Sequence, residues 1–145
     1  MSRGEPLTDA DRAGWLVALR QHEASPPAAS GASTSPHLVM TCSALKRAYR
    51  DVLRLGDAGD VRVRFVFLDA PEEVLTKRAA ERKGHYAGPG LLKSQFEALE
   101  RPAEDETDVS VVSTLDKSVE DTKREVCATV REVMGREDGG FRGVR

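Results

Sequence analysis

The sequence predicts a single α/β domain built on a parallel β-sheet, and two observations support that prediction. Three short apolar runs, HLVMTC, VRFVFLD and VSVVS, are each followed by a segment with helical periodicity. Strands that alternate with helices form βαβ units, in which right-handed crossovers make the strands parallel. The length of 145 residues suits one domain. We therefore expect strands near 38–42, 62–68 and 108–113, with about five helices around them.

Composition narrows the class of protein before any motif is considered. Hydrophobic residues make up 39% and charged residues 32% of the chain, which is typical of a soluble globular protein. The formal net charge of −2 provides no drive toward nucleic acid or an anionic membrane. No apolar run suits a membrane span or a signal peptide. Cys42 and Cys127 lack CxxC spacing, so we expect buried thiols and a cytoplasmic location. From the net charge and the short apolar runs we expect neither nucleic-acid nor membrane partners.

The first helix is expected within LTDADRAGWLVALRQH. Thr8 is placed to cap it, and Asp11 stands three residues later as a capping-box partner. Helical spacing puts Trp15, Leu16 and Leu19 on one face. The segment that follows, EASPPAASGASTSP, has no apolar period and is typical of a surface loop.

The second helix, in SALKRAYRDVLRLG, carries an unusual pair of charges at its start. Ser43 is the natural N-cap, which places Lys46 at position N3 and Arg47 at position N4 of the helix. Cations there oppose the helix dipole by about 0.3–1 kcal/mol each. Strand-to-helix junctions of this kind lie at the carboxyl edge of a parallel sheet, where ligands bind. Either the two side chains extend into water, or they receive an anionic ligand.

A second basic group lies in LTKRAAERKGHYAGPG. Arg78 and Arg82 are four residues apart and therefore share a helix face. Glycines flank the segment that follows, so 83–90 is expected to be a mobile lid that closes over phosphates. The alternative is a solvated helix end, in which His85 is an ordinary surface histidine. No set of His, Cys, Asp and Glu has metal-ligand spacing, so we expect no protein-bound metal.

Two more helices are expected in the C-terminal half. GLLKSQFEALERP places Leu92, Phe96 and Leu99 on one side and ends before Pro102. Ser94 and Gln95 fall between these apolar positions, either as surface residues or as hydrogen-bonding groups for a polyhydroxylated substrate. The last helix lies in KSVEDTKREVCATVREVMG. We expect the domain to cover 1–135, with 136–145 as a flexible tail.

Several of these segments together resemble one enzyme family. GEPLTDADRAGWL, CSALKRAYRD, RKGHY, LLKSQFEALERP and DETDVSVV occur in the order and rough spacing of thermoresistant-type gluconokinases. The resemblance extends from about Gly4 to Met134. It implies the fold of shikimate kinase and of other P-loop enzymes of the nucleoside-monophosphate-kinase type. In that fold an additional strand lies between the strands expected near 38–42 and 62–68.

The resemblance also implies an activity and a set of site residues. The activity is ATP-dependent phosphorylation of the 6-hydroxyl of D-gluconate, which feeds the pentose phosphate pathway, by a homodimer that binds Mg²⁺ with its nucleotide. The implied catalytic residues are Lys46 and Arg82. The residues implied to hold the sugar acid are Ser43, Arg47, His85 and Gln95, and those implied to lie beside the nucleotide are Arg78, Thr114 and Leu115.

The chain departs from the family at one motif. Family members begin with a strand, a GxxxxGK[ST] phosphate-binding loop and a short acidic motif. No GK[ST] triplet occurs in these 145 residues. Met1 falls about where the family has a methionine ahead of GEPL, so the chain is expected to start late relative to the family. A chain without these parts is expected to be inactive or very slow. The alternative is a non-catalytic isoform that binds or regulates the full-length kinase.

Overall fold

The computed structural model describes residues 8–23, 39–55, 62–81 and 89–140. In these ranges the order of elements is α1 (Asp9–Glu23), α2 (Arg47–Arg54), β1 (Phe65–Asp69), α3 (Glu72–Glu81), α4 (Pro89–Glu97), β2 (Val109–Ser113) and α5 (Val119–Gly140). The chain divides into two compact units. The first contains α1, α2 and α4, and the second contains β1, α3, β2 and α5. The predicted α/β class is confirmed.

The sheet of the second unit is parallel, as predicted. Its register runs from Phe65 opposite Val109 to Asp69 opposite Ser113. The pairing continues beyond both strand ends, because the Phe65 N–H donates to the Asp108 carbonyl and the Thr114 N–H donates to the Asp69 carbonyl. Val112 is only 2% exposed and lies on β2, which packs against α5. Two of the three predicted strands are therefore confirmed, with small shifts at their ends.

The first predicted strand, near 38–42, is not formed at 39–42, the part of it that the structure describes. Residues 39–45 have no regular secondary structure, and Val39 is 90% exposed. An apolar run becomes a strand only when a neighbouring chain accepts its backbone hydrogen bonds. Here the Leu45 carbonyl accepts a single bond from the Glu100 N–H at 2.8 Å instead of entering a ladder. The described ranges thus contain two strands where about three were expected.

Helix α1 begins with the predicted capping box. The Asp11 N–H donates to Thr8 Oγ1 (3.3 Å), and the Thr8 N–H donates to Asp11 Oδ2 (2.8 Å). The Thr8 hydroxyl also donates to the same carboxylate oxygen at 2.6 Å. Leu16 is buried and α1 packs against α2, but Trp15 is 49% exposed. Of the predicted apolar face, Leu16 is therefore packed in the interior and Trp15 remains about half-exposed.

Helix α5 is longer than the sequence suggested. It begins at Val119, directly after Ser118, whose Oγ accepts the Asp121 N–H at 3.1 Å, and it extends to Gly140. The segment 136–140, expected to belong to a flexible tail, is helical, and 141–145 lie outside the described residues. No helix in the described ranges has the length and apolar character needed to cross a membrane.

The two cysteines are less buried than expected. Cys42 is partly exposed and Cys127 is exposed. The more covered residues of α5 recur at helical spacing and include Thr122, Val126 and Thr129. Cys127 lies outside that stripe, which is why the prediction of a buried thiol is wrong at this position.

Candidate functional site

The start of α2 differs from the sequence prediction in its capping residue. The helix begins at Arg47 with Lys46 as N-cap, and the Lys46 side chain makes no capping bond. Ser43, the predicted cap, is exposed and precedes Ala44, whose φ of 37° lies in the left-handed region. That backbone conformation prevents the helix from starting earlier. The prediction that Ser43 caps α2 is therefore wrong.

The cap is supplied by a distant carboxylate. Glu100 Oε2 accepts the Arg47 N–H at 2.7 Å. A carboxylate at a helix N-terminus accepts a hydrogen bond from an N–H that has no partner within the helix. Its negative charge also interacts favourably with the positive end of the helix dipole. The backbone of Glu100 contributes as well, since its N–H donates to the Leu45 carbonyl. Glu100 thus attaches the chain that follows α4 to the first turn of α2.

Arg50 secures the same junction from inside the first unit. Arg50 is only 2% exposed, and its Nη1 donates to the carbonyls of Ala44 and Glu100, each at 3.1 Å. Guanidinium is suited to this because its donors form a rigid fork. Neither Arg50 nor Glu100 was predicted from the sequence as a site residue. A usable signal was the position of Arg50 between Tyr49 and Leu53, both on the buried side of α2.

Lys46 is held by a carboxylate from α1. Its Nζ donates to Asp9 Oδ2 at 2.8 Å and Oδ1 at 2.9 Å. The Tyr49 hydroxyl donates to Asp9 Oδ1 as well. The ammonium also lies 5.7 Å from the centroid of the Tyr49 ring, as does the Arg12 guanidinium carbon. The positive charge of Lys46, unexplained in the sequence, therefore has a partner within the first unit.

These contacts shift the ionisation of all three groups. The hydrogen bond from Lys46, then that from Tyr49, lowers the pKa of Asp9. The same bond to Asp9 raises the pKa of Lys46. Burial, followed by the hydrogen bond to Asp9, raises the pKa of Tyr49. At neutral pH Asp9 is a carboxylate, Lys46 is an ammonium and Tyr49 is a neutral phenol.

In the second unit, two residues expected beside the nucleotide lie in contact. Arg78, near the end of α3, donates from Nη1 to Thr114 Oγ1 at 3.1 Å and from Nη2 to the Thr114 carbonyl at 2.9 Å. Thr114 follows β2 directly and is 7% exposed. The next residue, Leu115, is 41% exposed, and its N–H donates to Ser113 Oγ at 3.3 Å. Arg78 and Thr114 thus meet at the carboxyl end of β2.

The other predicted site residues are less informative. Gln95 lies on α4 and is partly exposed, while the neighbouring Ser94 hydroxyl donates to the Leu91 carbonyl of its own helix. Arg82 and His85 lie outside the described residues, as does 83–88 of the expected lid, so their roles stay predictions.

The fit of the described residues to Mg²⁺ and to nucleotide phosphates is poor. In the ranges that the structure covers, no three His, Cys, Asp or Glu side chains are grouped as metal ligands. The chain also has no GxxxxGK[ST] loop, whose backbone N–H groups would surround phosphates and whose hydroxyl would bind Mg²⁺. The described residues therefore contain no ligand set for the metal.

Comparison with known proteins identifies the family. No protein-family model matches the chain. A probable gluconokinase of Schizosaccharomyces pombe is 41% identical over 116 residues, which cover 78% of this chain and 58% of that protein. The thermoresistant gluconokinase of Escherichia coli K12 is 41% identical over 112 residues, which cover 77% and 59%. The crystal structure of a gluconokinase from Sinorhizobium meliloti 1021 superposes with a TM-score of 0.79 at 36% identity, covering 98% of this chain and 74% of that one.

The chain belongs to the gluconokinase family. The resemblance inferred from the motifs is thereby confirmed, and so is the P-loop kinase fold class that it implied. The chain spans 58% and 59% of the length of the two curated gluconokinases described above.

Proposed function

We propose that the protein is an ATP-dependent gluconokinase that transfers the γ-phosphoryl group of ATP to the 6-hydroxyl of D-gluconate. The observation that carries the proposal is the superposition on a gluconokinase structure over 98% of the chain at 36% identity. By family, the product would enter the pentose phosphate pathway, the enzyme would be cytoplasmic and it would form a homodimer.

The reaction sets clear demands on the site. The 6-hydroxyl oxygen forms a bond to the γ-phosphorus, the bond from that phosphorus to the β,γ-bridging oxygen breaks, and ADP leaves with the electron pair. The hydroxyl proton passes to a base. Catalysis of such a transfer depends on positioning and on stabilising negative charge. Two anionic substrates must therefore be held by cations and hydrogen-bond donors.

The first unit supplies the groups suited to the sugar acid. Lys46 and Arg47 stand at the first turn of α2, where their charges would attract the gluconate carboxylate or the transferring phosphoryl group. Ser43 is exposed ahead of them and Gln95 is partly exposed on α4, so both are available to hydroxyl groups. His85 would hold the sugar acid and Arg82 would cover the phosphates, on the strength of the family resemblance alone.

The second unit supplies groups suited to the nucleotide. Arg78 is fixed by two hydrogen bonds to Thr114, which orients the planar guanidinium. A guanidinium held in this way can stack on a flat base. Leu115, exposed beside it, offers an apolar contact to the same base. Mg²⁺ would come with the nucleotide.

A second candidate function follows from one feature of the sequence. The 145 residues contain no GxxxxGK[ST] motif, so this chain by itself has no cradle for phosphates. Such a chain suits a non-catalytic partner that binds or regulates a complete gluconokinase. Co-purification with a complete gluconokinase, together with a change in that enzyme's rate, would favour this candidate.

The substrate is tested by gluconate-dependent ADP release from the chain joined behind a P-loop segment. D-sorbitol provides the matched control, because it has the same six-carbon polyol chain without a carboxylate. We expect phosphorylation of D-gluconate and little of D-sorbitol. Comparable rates would show that the carboxylate is not recognised, and no release with either would overturn the proposed activity.

A further inference from the structure

We propose that Asp9 is a positioning residue: it fixes the Lys46 ammonium at the start of α2 and leaves a donor of that ammonium for an anionic group of the ligand. The proposal rests on the proposed function, in which Lys46 contacts gluconate or the transferring phosphoryl group. It adds a residue from α1 that does not itself touch the ligand.

The geometry provides two fixed points for a flexible side chain. A lysine ammonium stands on four methylene groups and rotates freely unless it is held. Here both carboxylate oxygens of Asp9 accept from Nζ, at 2.8 and 2.9 Å, and the Tyr49 ring lies 5.7 Å away. Tyr49 is itself 8% exposed, so one of the two fixed points is anchored in the packed interior of the first unit.

The Asp9 carboxylate is itself held in place. It is the first residue of α1, where the Thr8–Asp11 capping box determines the path of the chain. The Tyr49 hydroxyl donates to Asp9 Oδ1, so the carboxylate cannot rotate without losing that bond. Asp9, Lys46 and Tyr49 therefore form one connected cluster, which we call the Asp9 cluster, between α1 and α2.

The Asp9 cluster retains capacity for a ligand. An ammonium has three donors, and the two contacts to Asp9 occupy at most two of them. The Lys46 side chain is 28% exposed, and that of Asp9 is 65% exposed. Exposed ion pairs contribute little to stability. The main consequence of this pair is therefore the placement of a charge.

The test uses four forms of the chain: wild type, Asp9→Asn, Lys46→Met and the double variant. Asparagine keeps an oxygen for the Tyr49 hydroxyl and removes the charge that holds the ammonium. D-gluconate affinity is measured by NMR titration. We expect Asp9→Asn to weaken binding about threefold or more, the scale of one exposed ion pair. In the Lys46→Met background it should cause no further loss, because Asp9 acts through Lys46.

A second readout does not depend on the ligand. The two Hε protons of Lys46 have different chemical shifts if the ammonium is held in one orientation, and they merge if it rotates freely. We expect separate signals in the wild type and merged signals in Asp9→Asn. The matched control is Asp51→Asn, which removes a carboxylate that pairs with Arg54 on α2 without touching Lys46; affinity and Hε signals should both stay unchanged.

Each result has a defined meaning. Equal losses of affinity in both Lys46 backgrounds, an unchanged affinity in Asp9→Asn, or merged Hε signals in the wild type would each overturn the proposal. If the wild type does not bind D-gluconate, the proposed substrate is wrong. The Hε signals then decide the positioning role alone: a separation that persists in Asp9→Asn overturns it.

Discussion

Glu100 caps a helix that begins 53 residues earlier in the chain, with Oε2 accepting the Arg47 N–H at 2.7 Å. Its N–H and carbonyl also bond to Leu45 and Arg50 at the same junction. Three contacts from one residue therefore join the chain after α4 to the helix that carries Lys46. The position of Lys46 therefore depends on Glu100 and Arg50, two residues to which the family resemblance assigned no role.

Replacing Glu100 by alanine should destabilise the protein modestly. The change removes the cap of α2 but keeps the backbone hydrogen bonds of residue 100. The expected loss of unfolding free energy is therefore about 1 kcal/mol, the scale of an N-cap. The measurement is the free energy of unfolding by urea. Glu97→Ala is the matched control, since Glu97 pairs with Lys93 on the exposed face of α4 at 3.9 Å. Equal losses in the two variants would contradict the capping role.

Replacing Arg50 by methionine should be considerably more damaging. Methionine fills similar space but leaves the partly buried carbonyls of Ala44 and Glu100 without this donor, so the expected loss is about 1–3 kcal/mol in total. Thermal unfolding provides the measurement. Arg54→Met is the control, because Arg54 lies one turn further along α2 and pairs with Asp51. A smaller loss for Arg50→Met than for Arg54→Met would contradict a stabilising role of the bonds from Arg50 to Ala44 and Glu100.

The parts that the sequence predicted correctly depend on short-range signals. The Thr8–Asp11 capping box connects residues three apart, and β1 and β2 were recognised as apolar runs leading into helices. The start of α2 was predicted wrongly because its real cap is distant in sequence and the left-handed conformation of Ala44 is invisible in a pattern. The strand expected near 38–42 failed for a related reason, since a strand depends on a partner elsewhere in the chain.

The candidate site follows the same division. The position of Lys46 and Arg47 beside a helix start could be predicted from spacing alone. Asp9 could not be connected to them, because it lies 37 residues away and first-turn carboxylates are common for dipole reasons. The contact of Arg78 with Thr114 spans 36 residues and was not predicted, since the family resemblance only implied that each residue lies near the nucleotide.

The small contribution of the Asp9 cluster to stability should depend on pH. The pKa of Asp9 is lowered from 3.8, so its contribution is present above that pH and lost as the pH falls through the folded-state pKa. The pKa of Lys46 is raised from 10.5, so its contribution is present below that pH and lost as the pH rises through the folded-state pKa. The Tm difference between wild type and Asp9→Asn should therefore be largest between these limits and shrink at both ends. A difference independent of pH would contradict the ion pair.

The contact between Arg78 and Thr114 should matter for the nucleotide. Arg78→Lys keeps the positive charge but loses the guanidinium group that donates two hydrogen bonds to Thr114. In the chain joined behind a P-loop segment, this variant should show a higher KM for ATP with little change in the KM for D-gluconate. We expect an increase of about tenfold, the scale of a charged hydrogen bond. Arg124→Lys is the control, as Arg124 pairs with Asp121 on the surface of α5. A parallel rise in both KM values would argue for a general structural role of Arg78.

Residues 1–145 alone should bind ATP weakly and phosphorylate D-gluconate at or near background. A P-loop supplies the backbone N–H groups around the phosphates, a lysine and a hydroxyl ligand for Mg²⁺, and no GxxxxGK[ST] motif occurs in these residues. Losing one electrostatic donor of this kind costs about 100-fold or more, and losses within one catalytic unit saturate instead of multiplying. Lys46 and Arg78 would still attract phosphate through charge, so weak, salt-sensitive ATP binding agrees with this prediction. The measurement is gluconate-dependent ADP release by residues 1–145 beside the same chain joined behind a P-loop segment. Comparable rates from the two would show that phosphoryl transfer by this chain does not require the loop.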